Sequence, residues 1–196
     1  MSPSPRVAVQ RLNPRHRVDI ERHLLRLPAE DRRLRFGRLV RDDAIAEYVR
    51  GIDFARDRVF GVHAPDLELV GVAHLALAPL EQTAELGLSV DPRSRGKGYG
   101  FTLLQRAVLH AANLGYRALF MHCLAENQIM IHLAAKAGLA VVIRSGEADA
   151  RLALDRRAHG GALKEAIADQ LALVDCMLKQ LYLWQSLRTA PPIEVS

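Results

Sequence analysis

Hydrophobic positions along the chain recur with two periods, and each change of period marks a new element. Val7 and Val9 alternate with polar neighbours in RVAVQRL, which predicts a first strand. HRVDIERHLLRL carries Val18, Ile20, Leu24 and Leu25 at helical spacing as far as Pro28. A second helix is predicted over DDAIAEYVRGI, opened by Asp42 or Asp43 and closed near Gly51. RVFGVHA and LELVGVAHLAL read as apolar strands parted by Pro65-Asp66, and APLEQT joins the latter to AELGLSV as an antiparallel hairpin. Leu103, Leu104, Ala107, Val108, Ala111 and Leu114 form one stripe of a helix that stops at Gly115. RALFMHCL is the next strand. ENQIMIHLAAKAG is a helix turning Ile129, Met130, Leu133, Ala134 and Ala137 inward, and LAVVIRS with ADARLAL makes a terminal hairpin.

The order β, α, α, β, β, β, α, β, α, β, β combines antiparallel hairpins with one βαβ crossover. It predicts an α/β (α+β) fold, a mixed and mostly antiparallel central sheet flanked by helices. We expect one domain over residues 5–155 and an appended C-terminal helix over 161–188. In that helix Leu163, Ile167, Leu171, Val174, Leu178 and Leu181 follow a near-heptad seam, and Ala166, Leu173, Met177 and Trp184 form a second apolar stripe. One sheet does not easily bury both stripes. The alternatives are packing on the helix's own domain and a homodimer interface, and the dimer is the preferred expectation.

Composition narrows the function classes. No apolar run approaches the roughly 20 residues a membrane span needs, and the first residues lack the apolar core of a signal peptide. Two cysteines, Cys123 and Cys176, with no Cys-x-x-Cys pairing, point to reduced thiols in a cytoplasm and to neither a disulfide nor a metal framework. The net charge of +5 suits an anionic ligand or partner. Much of it lies in RRLRFGRLVR (Arg32 to Arg41) and RSRGK (Arg93 to Lys97). The first run is expected to be a partly packed segment with solvated arginines. The alternatives are that Arg32, Arg33 and Arg35 draw an acidic acceptor, or that the run binds nucleic acid, for which no accompanying motif speaks.

The chemistry concentrates where AELGLSVDPRSRGKGYG leads into the helix. A strand feeding a glycine-rich turn and then a helix offers free backbone N–H groups and the positive end of the helix dipole, a place for phosphate. A Walker A loop fails, because Gly98 and Tyr99 follow Lys97. The dinucleotide fingerprint fails as well, with Phe101 where its last glycine belongs. Arg95-Gly96-Lys97-Gly98-Tyr99-Gly100 does match [QR]-x-x-G-x-[GA], the pyrophosphate loop of the GNAT acetyltransferase superfamily. From about Val7 to Leu154 the chain resembles a GNAT domain, and within that superfamily it looks most like the GNAT domain of bacterial protein-lysine acetyltransferases. Leu124, Asn127, Met130, Leu133, Ala134 and Gly138 follow their pattern L-x-x-N-x-x-M-x-x-L-A-x-x-x-G, and RRLRF and AEL resemble counterparts there.

The resemblance implies acetyl-CoA as co-substrate and no metal. Its pyrophosphate would lie on the amides of Arg95, Gly96, Lys97, Gly98, Tyr99 and Gly100, its pantetheine arm beside Leu88, Ser89 and Val90, and Asn127 would make a second contact. It also implies an N-acetyltransferase that passes the acetyl group directly to an amine, on a protein lysine or a small molecule. The alternative is a non-catalytic acyl-CoA-binding regulatory protein. The amine must be neutral to attack, and the resemblance points to Glu85 as its base. If the hairpin pairs Leu77 with Ala84, Glu85 faces Ala76, and Gly87 and His74 share that side, which makes His74 a helper or rival base. Many GNAT enzymes carry a tyrosine acid where this chain has Ala134, and His132 and Tyr99 are nearby candidates.

Overall fold

The computed structural model describes residues 7–155 and 161–189; side chains at 162–165, 168 and 181–189 lie outside the described set. Seven strands form one sheet: β1 Gln10–Leu12, β2 Arg58–His63, β3 Leu69–Ala78, β4 Thr83–Val90, β5 Ala118–Leu124, β6 Ala140–Arg144 and β7 Glu147–Ala153, in the spatial order β1-β2-β3-β4-β5-β7-β6. Every neighbouring pair is antiparallel except β4–β5, the crossover pair. The helices are α1 Arg17–Arg26, α2 Ala29–Phe36, α3 Asp42–Gly51, α4 Tyr99–Asn113, α5 Gln128–Lys136 and α6 Ala162–Thr189.

The sheet separates two apolar layers. On one face Ile20 and Leu24 of α1 and Ile45 and Val49 of α3 pack on Val59 and Val72. On the other, Leu103, Leu104, Ala107 and Ala111 of α4 pack on Phe60, Leu75, Leu86 and Leu119, and Ala134 of α5 joins them. The predicted strand and helix periods supply both layers. β1 is shorter than predicted: Val9 enters the core, but only Gln10–Leu12 pairs with β2.

Two differences from the sequence reading matter. The arginine-rich segment is partly packed, as expected, with Phe36 and Val40 against the core. Its Arg32 and Arg33 are half-buried and ion-paired, not solvated, and it contains a helix the sequence did not announce, α2. Its ends are conventional, with Pro28 before the first turn, Glu30 and Asp31 inside it, and Gly37 at φ 71° closing it. No α2 residue is fully buried, so no apolar period announces the helix. The second difference concerns α6. Asp169 pairs with Arg106 of α4, Lys179 donates to the His63 carbonyl (2.9 Å), and Ala172 is buried between them. The docked side is therefore the one carrying Asp169, Ala172 and Lys179. Ile167, Leu171, Val174 and Leu178 of the seam, and Leu173 and Met177 of the second stripe, are all about half exposed or more. Leu163, Leu181 and Trp184 lie outside the described side chains.

β4 and β5 hold together only at one end. Thr83, Ala84 and Glu85 pair with Ala118, Leu119 and Phe120, and beyond that point the strands part. From Leu86 to Val90, β4 keeps its ladder with β3 alone.

Candidate active site

The gap between β4 and β5 opens toward the start of α4. Gly96 and Gly98 stand at φ 75° and 79°, the left-handed region that a side chain disfavours, and nothing lies within 4 Å of a Cβ built on either. The turn is thus held by backbone conformation and leaves open space before the helix. Thr102 donates its N–H to the Gly98 carbonyl (3.1 Å), so the amides ahead of it at the helix start have no partner within the helix. Asp91 fixes the turn from below: it accepts from the Arg93 N–H (2.9 Å) and from the Arg93 guanidinium (2.7 Å). The Arg93 hydrogen bond holds the Asp91 carboxyl at about 2 against burial.

A cleft of about 410 Å³ runs from this turn along β4, lined by Arg95, Gly98, Tyr99, Leu88, Val90 and Asn127 among others. A smaller cavity of about 20 Å³ continues it between the parted strands, beside Gly87, Met121, His122 and Cys123. Asn127 borders both, buried, and its Oδ1 accepts from the Met130 N–H (3.1 Å) as cap of α5. Ser89 lines the cleft while its hydroxyl is engaged behind it. His23 Nδ1 must donate to the Leu69 carbonyl (3.1 Å), so Nε2 accepts from Ser89 Oγ (2.9 Å). Burial, helped by the charge of Arg26, depresses His23 to about 4 and keeps it neutral.

Across the cleft from α5, a chain of side chains runs behind β4. Asp57 is buried, and although burial alone would raise its pKa, hydrogen bonds from Arg56, the Leu77 N–H and His74 hold it below the ordinary carboxylate value. Asp57 accepts from His74 Nε2 (3.2 Å), so His74 Nδ1 accepts from the Tyr48 hydroxyl (2.6 Å). The Tyr48 oxygen in turn accepts from Arg35 Nη2 (3.0 Å). Arg35 also lies over the Phe36 and Tyr48 rings, at 5.0 and 5.7 Å from their centroids. Burial pushes the His74 imidazole below its usual value despite the Asp57 bond.

The sequence-predicted residues divide accordingly. Leu88, Ser89, Val90, Arg95, Gly96, Gly98, Tyr99, Gly100 and Asn127 all line the cleft; Lys97 is exposed and does not. Arg95 is tied to Asp31 of α2 (2.7 Å). The hairpin register is the expected one, Leu77 opposite Ala84, Ala76 opposite Glu85 and His74 opposite Gly87. Glu85 is exposed, at the last β4–β5 pair, outside the cavity linings. Both nitrogens of His74 are occupied. Tyr99 and His132 line the cleft, while Ala134 is buried in the core. Cys123 is buried, and desolvation raises its thiol pKa, the opposite of an activated nucleophile. Arg35 is one of the three arginines given as an alternative draw for an acidic acceptor; Tyr48 and Asp57 were missed, because their sequence separations from it and from His74 follow no spacing rule. Among the described residues no group of three or more His, Cys, Asp or Glu side chains is placed to hold a metal ion.

A strand gap that opens from a helix start with free amides has the shape and polarity to suit an extended ligand with phosphate at one end. Comparison with known proteins makes the class specific. The sequence profile of the Acetyltransferase (GNAT) family matches residues 22–139, and the chain belongs to that family. It is 38% identical over 55 residues to the mycothiol acetyltransferase of Propionibacterium freudenreichii, a match spanning 28% of this chain and 18% of that protein. The chain therefore spans under a fifth of that relative's length. Its fold is similar to the GNAT domain of S. lividans PAT, with a TM-score of 0.63 and 18% identity over 74% of this chain and 89% of that one. It is also similar to a spermidine N-acetyltransferase of Vibrio cholerae solved with CoA and spermine, with a TM-score of 0.57 and 19% identity over 74% and 92%. At these identities the likeness is one of fold.

Proposed function

We propose that the chain is an acetyl-CoA-dependent N-acetyltransferase that passes the acetyl group directly to an amine, on a protein lysine or a small molecule. The observation that carries this is the gap between β4 and β5 opening from the Gly96–Gly100 turn. An extended arm fits along an unpaired strand edge, and phosphate fits the free amides at its end. Acetyl-CoA would supply an activated thioester. Arg95 to Gly100 would hold its pyrophosphate, Leu88, Ser89 and Val90 its arm, and Asn127 a further polar group.

Backbone N–H groups on the open edge of β4 would hold the negative charge that develops on the acyl oxygen. Glu85 takes the amine's proton in this reading, and His74 acts through Tyr48 and Arg35, since neither of its ring nitrogens is free. With Ala134 in the usual acid's place, the thiolate departs unaided, a thiol pKa near 8.5 in free cysteine making it a fair leaving group, or takes a proton from Tyr99 or His132. Residues 5–155 act as the catalytic domain and 161–188 as an appendage that pairs with a second copy through its exposed stripes. Two unpaired cysteines support a cytoplasmic location. No described helix is long and apolar enough to cross a membrane.

A thermal-shift titration tests this first. At about 100 times its Kd a specific ligand adds roughly 2.7 kcal/mol, a shift of several degrees in a chain of this size. Acetyl-CoA and CoA should give it, NAD and ATP should not, and no shift with acetyl-CoA removes the reading. Glu85→Gln should lower turnover with the amine and leave acetyl-CoA binding intact. A shift without turnover on any amine would favour a non-catalytic acyl-CoA-binding protein, which the buried Ala134 and the exposed α6 stripes also suit. Sedimentation of the Ile167→Glu, Leu171→Glu variant should give monomer where the parent gives dimer; a monomeric parent refutes the pairing.

A further inference from the structure

The arginines of α2 are not equivalent. Arg32 pairs with Asp42 (2.6 Å), and Arg33 with Glu30 (2.7 Å) and Glu126 (2.6 Å). Arg35 pairs with no acidic side chain among the described residues. Of its five donors one reaches Tyr48, and its Nε is buried with no hydrogen-bond partner. The guanidinium packs against Gly87 of β4, where a Cβ would stand 2.1 Å from Nη2 and 2.4 Å from Cζ. It borders both the long cleft and the small cavity between the strands. A cation with no counter-ion among the described residues therefore stands where the two cavities meet.

It is also held there. Asp57, His74 and Tyr48 each present an acceptor to the next donor, so the buried carboxylate polarises the chain toward Arg35 and fixes the guanidinium over Gly87. Its charge reaches His74 and His23, where it adds to burial in lowering both pKa values. Glu85 lies on the same face of β4, two residues before Gly87, about 6.5–7 Å along the strand. Its carboxylate makes no ion pair or hydrogen bond among the described residues. One strand face thus offers, two residues apart, a carboxylate that acts on His122 only at a distance and a guanidinium with no acidic partner among the described residues.

We propose that the acceptor carries a carboxylate close to its reacting amine, as a free α-amino acid does. Arg35 holds that carboxylate while the amine lies toward Glu85. This rests on the acetyltransferase reading above. A polyamine, or a lysine side chain with no acid near it, would bring only positive charge to Arg35. A carboxylate fills the vacant donors in the two-pronged geometry guanidinium favours, and a lysine ammonium at position 35 would reproduce the charge without the fork.

The test uses the full chain saturated with CoA, titrated by thermal shift with a panel of common amino acids, their amides and the matching decarboxylated amines. The parent, Arg35→Met and Arg35→Lys are compared. At least one amino acid should bind the parent, roughly tenfold or more tighter than its amide, because a site built around a carboxylate penalises its loss. Arg35→Met should abolish the preference and Arg35→Lys should restore part of it. In turnover with acetyl-CoA the same preference should appear in kcat/KM. Equal binding of amino acid and amide by the parent overturns the proposal even if the variants fail to fold. So does an amino acid bound equally by Arg35→Met, or a lysine peptide flanked by aspartates that binds through Arg35 when no free amino acid does. CoA shifting the parent while no carboxylate binds through Arg35 overturns this proposal alone; no shift with CoA or acetyl-CoA removes the underlying function as well.

Discussion

The two ends of the cleft are built on different principles. At the α4 end the groups offered to a ligand are backbone amides, presented by glycines at positive φ and a helix start, and its best-fixed side chain, Asp91, bonds within its own turn. At the Gly87 end the group offered is a side chain, Arg35 of α2, held in turn by Tyr48 of α3, His74 of β3 and Asp57, the residue before β2. A backbone site needs little from the rest of the fold and accepts a ligand common to a family. A side-chain site depends on every element that holds it, and a change in one of them retunes what it takes.

That contrast is sharpest in stability. Removing Asp57 leaves His74, Arg56 and the Leu77 amide without their shared acceptor, and losing one partner of a buried charged network typically costs about 3–5 kcal/mol. Asp57→Ala should therefore lower the melting temperature by roughly 10 °C, while the folded fraction keeps its affinity for acetyl-CoA. Calorimetry with and without CoA checks both, and an unchanged melting temperature would show that the chain is not held through Asp57.

A somewhat smaller effect lies between the two ends, at His23 behind Ser89. The unfolded histidine titrates near 6.5 and the folded one at about 4. Above pH 6.5 both states are neutral and the folded chain has its full stability. As pH falls from 6.5 toward 4 the unfolded chain binds a proton that the folded one refuses, so up to about 3 kcal/mol is lost. Denaturant melts across that window should show the decline, and His23→Gln should flatten it. An equal slope in the variant would assign the decline to other groups.

The smallest effect on stability and the largest on the cofactor should coincide at Gly98. A side chain in its left-handed conformation costs roughly 1–2 kcal/mol, and its Cβ occupies space open to a ligand. Gly98→Ala should melt only a few degrees lower yet lose most of the acetyl-CoA shift. If the shift survives unchanged, the turn is structural and the two ends do not differ as described.

The chain itself was informative where the determinants are local. Leu103 to Ala111 and Ile20 to Leu24 carry their periods openly, and the hairpin placing Ala76 against Glu85 follows from two alternating runs and a turn. The RGKGYG segment announces its amides because glycine content, the preceding strand and the following helix all lie within one continuous stretch. α2 stayed hidden because no residue in it is fully buried, so no apolar rhythm marks it. The α6 seam was visible, but the face it turned to its own fold was set by Asp169 and Lys179 meeting Arg106 and the His63 carbonyl.

Sequence alone determined the element order, the mixed and mostly antiparallel sheet flanked by helices and the glycine turn ahead of α4, because periodicity and glycine act over a few neighbours. Only the tertiary structure decided that β4 leaves β5 after Glu85, and that Arg35 reaches Gly87 without an acid beside it. The first is set by where the pairing of two strands far apart in the chain ends. The second is set by hydrogen bonds between residues 13 to 26 positions apart and by space left by a glycine in another element; none of these has a local period.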